Sequence, residues 1–308
     1  MELADGVRAG DKLAVARALS VVERGGEEAE LLVRDLHPAS GGAYTIGITG
    51  PPGVGKSTLI AALVKQAREL GRSVGVISVD PSSPFSKGAL LGDRIRLSEH
   101  FLDPDVFIRS MGTRGHPGGL AEATLEALLV LDASGRELLF VETAGVGQSE
   151  VAVTGIADTV VLVLMPGSGD SVQALKAGVM EIPDVIVLNK SDHENAATTL
   201  AELRQALSLG DEAGPPIVST RASTGEGVEL VWQALEQHRA ELERSDGLER
   251  RRSENLRREL LGLAVSRMRR ELERASSSGS DLDDLVDAVA GKRLDPLSAV
   301  RELRQRLG

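Results

Sequence analysis

Cysteine is absent from this chain of 308 residues, and aromatic residues make up only 2% of it. The first absence excludes disulfides, thiolate metal sites and cysteine nucleophiles, and it fits a reducing compartment. The second means that the core is built from aliphatic side chains. Long apolar runs are also missing, since a stretch such as Val160 to Met165 is far shorter than the ~20 residues of a transmembrane helix.

The net charge and the first residues of the chain restrict the binding partners and the cellular location that we expect. The formal net charge is −11 and the pI is near 5.1, whereas binding to nucleic acid or to anionic membrane relies on a basic surface. The first residues mix acids and bases without the apolar segment of a secretory signal. We therefore expect a cytoplasmic protein with neither a nucleic-acid nor a membrane partner.

Short β-branched runs alternate with helix-length stretches from Tyr44 onward. The runs are TIGIT, SVGVISV, VFIRSM, ELLFVE, TVVLVLM, VIVLN and PIVS. Strands that are apolar on both faces and separated by helices are typical of a parallel sheet covered on each side. The pattern predicts an α/β fold of the P-loop NTPase type, with a mostly parallel central sheet.

Helical segments flank this region at both ends. The first 40 residues predict two short helices, and residues 246–308 predict a C-terminal helical arm with an amphipathic first helix. We expect three parts: an N-terminal helical extension (1–40), a nucleotide-binding domain (41–245) and the arm (246–308).

A phosphate-binding loop is predicted at residues 50–57, which read GPPGVGKS between a strand and a helix. Glycines at 50, 53 and 55 let successive N–H groups turn toward phosphate oxygens, and the following helix adds its positive end. Lys56 is then in reach of the β- and γ-phosphates, and the Ser57 hydroxyl can ligate Mg²⁺.

Carboxylates that follow strands are candidates for magnesium binding and catalysis. Glu142 begins ETAG at the end of one strand, in the place where many GTPases hold Mg²⁺ through water, and Gly145 is the candidate sensor of the γ-phosphate. Asp80 ends another strand, and Asp93 lies in the loop that follows. Both are candidates for binding Mg²⁺ or for positioning the attacking water.

Guanine recognition is predicted from NKSD at residues 189–192, directly after a strand. The Asp192 carboxylate can accept hydrogen bonds from the N1–H and 2-amino groups of guanine, which adenine does not offer. Asn189 is expected at the base edge, the Lys190 stem on the base face, and the Ala222 N–H at the guanine O6. The predicted nucleotide contacts are Gly53, Val54, Gly55, Lys56, Ser57, Thr58, Gly145, Asn189, Lys190, Asp192, Thr220, Arg221 and Ala222.

Hydrolysis by the isolated chain is expected to be slow. Many GTPases carry a glutamine that positions the water directly after the glycine of the ETAG-like motif, but Val146 follows Gly145 here and Gln148 lies two residues further on. We therefore expect that a partner accelerates the reaction by reorganising these segments.

Longer segments resemble one family of GTPases. They are GITGPPGVGKSTL, VDPSSPFSKGALLGDRIRL, SMGTRGHPGGLA, VETAGVGQSE, MPGSGDSVQALKAGVMEIPD and LNKSD. Together these resemble the MeaB/ArgK/MMAA family over about residues 1–245. The resemblance implies a homodimeric GTPase that uses GTP and Mg²⁺ and acts as a chaperone of an adenosylcobalamin-dependent acyl-CoA mutase, such as methylmalonyl-CoA mutase.

The same resemblance implies roles for single residues. It makes Lys56, Asp93 and Glu142 catalytic, and Ser57, Asp80, Asp93 and Glu142 the metal site. It also implies a switch that couples nucleotide to mutase, formed by Asp170, Gln173 and Lys176. Ser171 replaces a carboxylate that the family more often has there, which leaves open the details of coupling and the identity of the mutase.

Three other functions stay open at this point. A metal-inserting maturation GTPase has a similar core, but such proteins usually hold nickel or zinc with Cys or His clusters, and this chain has five scattered histidines. An ATP-dependent kinase requires that NKSD does not read guanine. A scaffold with an inactive site conflicts with the complete set of phosphate and base residues.

Overall fold

The chain is built around a parallel β-sheet of seven strands in the part of the chain that the structure describes. The computed structural model describes residues 2–80, 98–112, 122–143, 153, 155–167, 183–208, 214–277 and 281–306. The strands are β1 (Tyr44–Thr49), β2 (Val74–Asp80), β3 (Val106–Gly112), β4 (Leu138–Thr143), β5 (Thr159–Leu164), β6 (Val185–Leu188) and β7 (Ile217–Ser219). Their order is β3-β2-β4-β1-β5-β6-β7, and every neighbouring pair is parallel.

Apolar strands and flanking helices confirm the predicted α/β class. Every residue of β4, β5 and β6 is buried, as expected for strands covered on both faces. All seven predicted strands are present. The described helices are α1 (Glu2–Arg8), α2 (Lys12–Arg24), α3 (Glu27–Leu36), α4 (Lys56–Glu69), α5 (Glu122–Ala133), α6 (Ala196–Leu207), α7 (Val228–Arg244), α8 (Gly247–Ser277), α9 (Asp281–Ala290) and α10 (Pro296–Arg306).

The two faces of the sheet have separate hydrophobic cores. On one face, α4 and α7 pack against β1, β2, β4, β5 and β6, with Phe140 and Trp232 among the buried side chains. On the other face, the N-terminal helices and α5 share one core with residues of β2, β3 and β4. The N-terminal helices therefore cover part of this face of the sheet.

Three helices, not the predicted two, precede β1. The chain turns between α1 and α2 at Gly10, whose φ is +72°, and Asp11 then caps α2 by accepting a hydrogen bond from the Ala14 N–H. The turn between α2 and α3 consists of Gly25 and Gly26, both with positive φ. The prediction of two helices was wrong because it relied on the spacing of apolar residues, which does not show the helix breaks at Gly10 and at Gly25 and Gly26.

The chain divides into two compact units, residues 1–255 and 256–308. The second unit contains most of α8 together with α9 and α10, and α9 contacts α10. The α8 helix exposes Leu256, Leu260, Leu261, Val265 and Met268. None of the described helices is long and apolar enough to cross a membrane.

Two arginines at the start of α8 bind carboxylates at the amino ends of β5 and β6, of which Asp158 is buried and Asp184 is partly buried. Arg252 makes two hydrogen bonds of 2.9 and 2.8 Å to Asp158, and it also donates to the carbonyl oxygens of Gly41 and Ala43. Arg251 makes two hydrogen bonds of 2.9 and 2.8 Å to Asp184. Burial alone would raise the pKa of Asp184, but hydrogen bonds from His238 and Arg251 outweigh it and lower that pKa.

Replacing Arg252 with methionine is expected to destabilise the protein by about 2–3 kcal/mol, because the Asp158 carboxylate then stays buried without its cation. The Asp158 side chain is only 5% exposed, whereas the Arg252 side chain is 35% exposed. We therefore expect a smaller loss of stability than for a fully buried ion pair. Urea unfolding measures the change. The matched control is Arg257→Met at an exposed position of the same helix, and an equal loss in both variants would contradict the assignment.

Candidate nucleotide-binding site

The predicted motifs meet at one edge of the sheet. The phosphate loop follows β1, Glu142 is the second-to-last residue of β4, Asn189 follows β6 and Thr220 follows β7. These are the carboxyl ends of parallel strands, which point to the same edge. Ligands of open α/β sheets bind at this edge, beside the place where the strand order reverses.

The phosphate loop is held in a conformation that depends on glycine. Gly50 and Gly55 have φ angles of +135° and +100°, in the region that side chains disfavour. A Cβ on Gly50 would lie less than 3.0 Å from the backbone of Val163, and one on Gly55 less than 3.0 Å from the Asn189 amide nitrogen. Helix α4 starts at Lys56, so its amino end, whose first N–H groups have no acceptor within the helix, faces the loop.

Lys56 lies inside this loop. Its Nζ donates to the carbonyl oxygens of Gly50 and Pro51 at 2.7 and 3.1 Å, and the residue is only 7% exposed. A buried ammonium needs oxygen acceptors to offset the loss of water. The contacts hold the charge within the loop, where the sequence motif predicts phosphate oxygens.

Ser57 and Glu142 form a buried, hydrogen-bonded pair of oxygen-bearing side chains. The Ser57 hydroxyl donates to Glu142 Oε1 at 2.8 Å, and the residues are 3% and 7% exposed. The Ser78 hydroxyl donates to the second oxygen, Oε2, at 3.4 Å. One side chain from α4 and one from β2 therefore position the carboxylate from β4, and hard oxygen atoms of this kind are what Mg²⁺ prefers.

Asn189 joins the phosphate loop to the segment after β7. Its Nδ2 donates to the Val54 carbonyl at 2.8 Å, and its Oδ1 accepts from the Thr220 hydroxyl at 3.1 Å and the Ala222 N–H at 3.0 Å. Asn189 and Thr220 are buried. The amide therefore holds three loops together, and the Ala222 N–H, predicted at the guanine O6, donates to Asn189 in this structure.

Lys190 and Asp192 lie at the exposed side of the same loop. Lys190 has a φ of +59°, and its Nζ donates to the Gly53 carbonyl at 2.8 Å, so its stem runs along the phosphate loop. Asp192 forms an ion pair with Arg221 at 3.5 Å, and both side chains are about half exposed. The carboxylate that is predicted to read guanine therefore has a cation beside it and stays open to solvent.

Several predicted residues lie outside the described residues. They are Asp93, Gly145, Asp170, Gln173 and Lys176. Asp80 is described only as the last residue of β2. The predictions made for all six remain predictions.

Ser78 is a residue of this site that the sequence did not single out. The available signal was its polarity, because it is the one polar residue among the buried residues 74–79 of β2. A hydroxyl in such a position needs a hydrogen-bond partner. The register of β2 and β4 places Ser78 opposite Glu142.

Comparison with known proteins agrees with this geometry. Residues 15–277 match the family described as "Methylmalonyl Co-A mutase-associated GTPase MeaB". A putative GTPase of Pyrococcus abyssi is 47% identical over 304 residues, which cover 97% of this chain and 94% of that protein. The mouse protein named "Methylmalonic aciduria type A homolog, mitochondrial" is 38% identical over 199 residues, covering 62% of this chain and 48% of that protein.

A solved structure shows the same fold over the whole length. The crystal structure described as an LAO/AO transport system kinase superposes with a TM-score of 0.74 and covers 99% of this chain and 96% of that one. At 24% identity this likeness speaks for the fold alone. The family match and the sequence relatives identify the activity. The chain belongs to the MeaB family and is a P-loop GTPase.

Proposed function

We propose that this GTPase regulates the loading and protection of the cofactor in an adenosylcobalamin-dependent acyl-CoA mutase, methylmalonyl-CoA mutase or a relative of it. The observation that carries the proposal is membership of a family described as associated with methylmalonyl-CoA mutase, over residues 15–277. The name of the mouse relative, which refers to methylmalonic aciduria, supports it. The proposed location is the cytoplasm.

Magnesium is the metal that fits the oxygen ligands of the site. Ser57 and Glu142 would hold it, the first directly and the second directly or through water, and Asp80 and Asp93 are the further candidates. No group of three or more acidic or histidine side chains able to hold a metal occurs among the described residues. That suits Mg²⁺, which takes few protein ligands and completes its shell with phosphate oxygens and water. When bound, it neutralises charge on the β- and γ-phosphates.

The side chains of this chain perform the remaining work in phosphoryl transfer. Lys56 and the N–H groups at the start of α4 bind the phosphates and stabilise the charge that develops on them. Asn189 fixes the distance between phosphate loop and base loop, because it bonds to both. Asp192 selects guanine. Positioning in this way accounts for most of the catalysis in phosphoryl transfer.

We propose that GTP hydrolysis by this chain alone is slow and that the mutase accelerates it. With Val146 after Gly145 and Gln148 displaced by two residues, we propose that water is poorly positioned until the partner binds. Asp170, Gln173 and Lys176 would then transmit the contact to the nucleotide. The proposed assembly also contains two copies of the GTPase, joined through the C-terminal arm proposed for residues 246–308.

Phosphate release from GTP tests the proposal, measured for the purified chain alone and with an adenosylcobalamin-dependent acyl-CoA mutase from the same source. We expect a low basal rate that rises severalfold with the mutase, because the partner reorganises the switch. The Lys176→Ala variant is expected to lose most of this rise. An acyl-CoA enzyme without cobalamin serves as the control partner.

Two outcomes would contradict the proposal in different ways. A high basal rate that no partner changes would overturn both the slow reaction and its stimulation. A low basal rate that the mutase leaves unchanged would leave the GTPase in place and remove the proposed partner.

Metal insertion is the alternative of a different class. It needs a soft or imidazole-rich site for nickel or zinc, and none is found among the described residues. Equilibrium dialysis with nickel tests it, and stoichiometric binding would favour this alternative over the mutase. An ATP-dependent kinase is the other alternative, and it requires a preference for ATP over GTP.

A further inference from the structure

The buried hydroxyl of Ser78 has a position that the phosphate and base motifs do not explain. Ser78 is 1% exposed in β2, and its neighbours from Val74 to Val79 are buried too. A hydroxyl in an apolar strand costs free energy unless it is hydrogen bonded. Its acceptor is Oε2 of Glu142, at 3.4 Å.

The geometry at Glu142 assigns one hydroxyl to each carboxylate oxygen. Ser57 on α4 donates to Oε1 and Ser78 on β2 donates to Oε2. The two donors belong to different elements, because β2 is the neighbouring strand of β4 and α4 packs on one face of the sheet. Together they fix both the position and the plane of the carboxylate.

The length of the side chain makes the second donor important. Glutamate has one more rotatable bond than the aspartate that many GTPases carry at this place, so it loses more rotamer freedom when it is held in one position. Ser57 is also the predicted direct ligand of Mg²⁺, so its oxygen has two roles. Ser78 has no predicted contact with nucleotide or metal, and the acceptor of its hydroxyl is Glu142.

We propose that Ser78 is a positioning residue that sets the affinity of the site for Mg²⁺ through Glu142. This inference rests on the magnesium site given under Proposed function and is independent of the mutase. Residues that orient a metal ligand without touching the metal commonly change metal affinity by 10- to 100-fold when they are replaced. Because Ser57 still holds the other oxygen, we expect a change of about 10-fold.

The test compares Ser78→Thr with Ser78→Val, which have nearly the same shape and differ in the hydroxyl. A fluorescent GDP analogue is loaded onto the full chain, and its dissociation rate is measured over a range of MgCl₂ concentrations and in EDTA. The readout is the MgCl₂ concentration that slows dissociation by half. Thermal unfolding of both variants in EDTA reports on stability.

The expected result is a half-effect concentration about 10-fold higher for Ser78→Val than for Ser78→Thr, with equal dissociation rates in EDTA. Equal Mg²⁺ dependence in the two variants would overturn the proposal. So would a difference that is already present in EDTA, because the serine would then have only a structural role. If GDP release from the wild-type chain did not depend on Mg²⁺, both the magnesium site and this inference would be overturned. The mutase proposal would not be affected by that result.

Discussion

Lys56→Met is expected to lower the rate of GTP hydrolysis at saturating nucleotide by about 10²–10³-fold, the usual cost of removing one preorganised donor from a charged transition state. Lys56 is buried inside the phosphate loop and held by the carbonyl oxygens of Gly50 and Pro51. Methionine keeps an unbranched aliphatic side chain, so the loss of rate measures the contribution of the ammonium group rather than that of packing. Phosphate release measures the rate, and binding of a fluorescent GDP analogue shows that the site is still loaded.

Lys65→Met is the matched control for this variant. Lys65 lies on the exposed side of the same helix, and we expect its replacement to change the rate by less than about twofold, as for other surface substitutions. If Lys56→Met kept a third or more of the wild-type rate, Lys56 would not be a catalytic residue.

Asp192→Asn is expected to convert guanine recognition into xanthine recognition. Two hydrogen bonds to a charged acceptor are together worth about 3–6 kcal/mol, so GTP affinity should fall on the order of 10²–10⁴-fold. Because Asp192 is half exposed and lies beside Arg221, the lower half of that range is expected. The asparagine amide donates to the 2-oxygen of xanthine, so XTP should bind the variant better than GTP does.

Competition against a fluorescent GDP analogue measures both affinities. Glu194→Gln, two residues further along the same exposed loop, is the control, and it should leave GTP affinity within about twofold. If Asp192→Asn and Glu194→Gln weakened GTP equally, Asp192 would not be the guanine-reading group.

The parallel sheet and the positions of the phosphate loop and of the NKSD loop could be predicted because each depends on short segments with strong local rules. Strands such as TVVLVLM are apolar on both faces, and a phosphate loop needs its glycines at fixed positions, as the φ angles of Gly50 and Gly55 show. The order of motifs along the chain then placed them at the carboxyl ends of the strands. The parallel topology brought those ends to one edge.

Contacts between distant segments could not be predicted in the same way. Asn189 was expected at the base edge, yet its amide bonds to Val54, Thr220 and Ala222, which follow two other strands. The pairs of Arg251 with Asp184 and of Arg252 with Asp158 join the start of α8 to residues that directly precede β6 and β5, 67 and 94 residues earlier in the chain. Such partners depend on the register and packing of the folded chain, and one sequence contains no periodic signal for them.

The site is expected to select guanine over adenine nucleotides, and the dissociation constants of GTP and ATP measure this selectivity. Both are measured with non-hydrolysable analogues by calorimetry on the wild-type chain in the presence of MgCl₂. The structure predicts binding of the GTP analogue at least ~10²-fold tighter, because adenine leaves the Asp192 carboxylate without its two donors. Equal binding of the two analogues, or a preference for the ATP analogue, would show that the site does not select guanine.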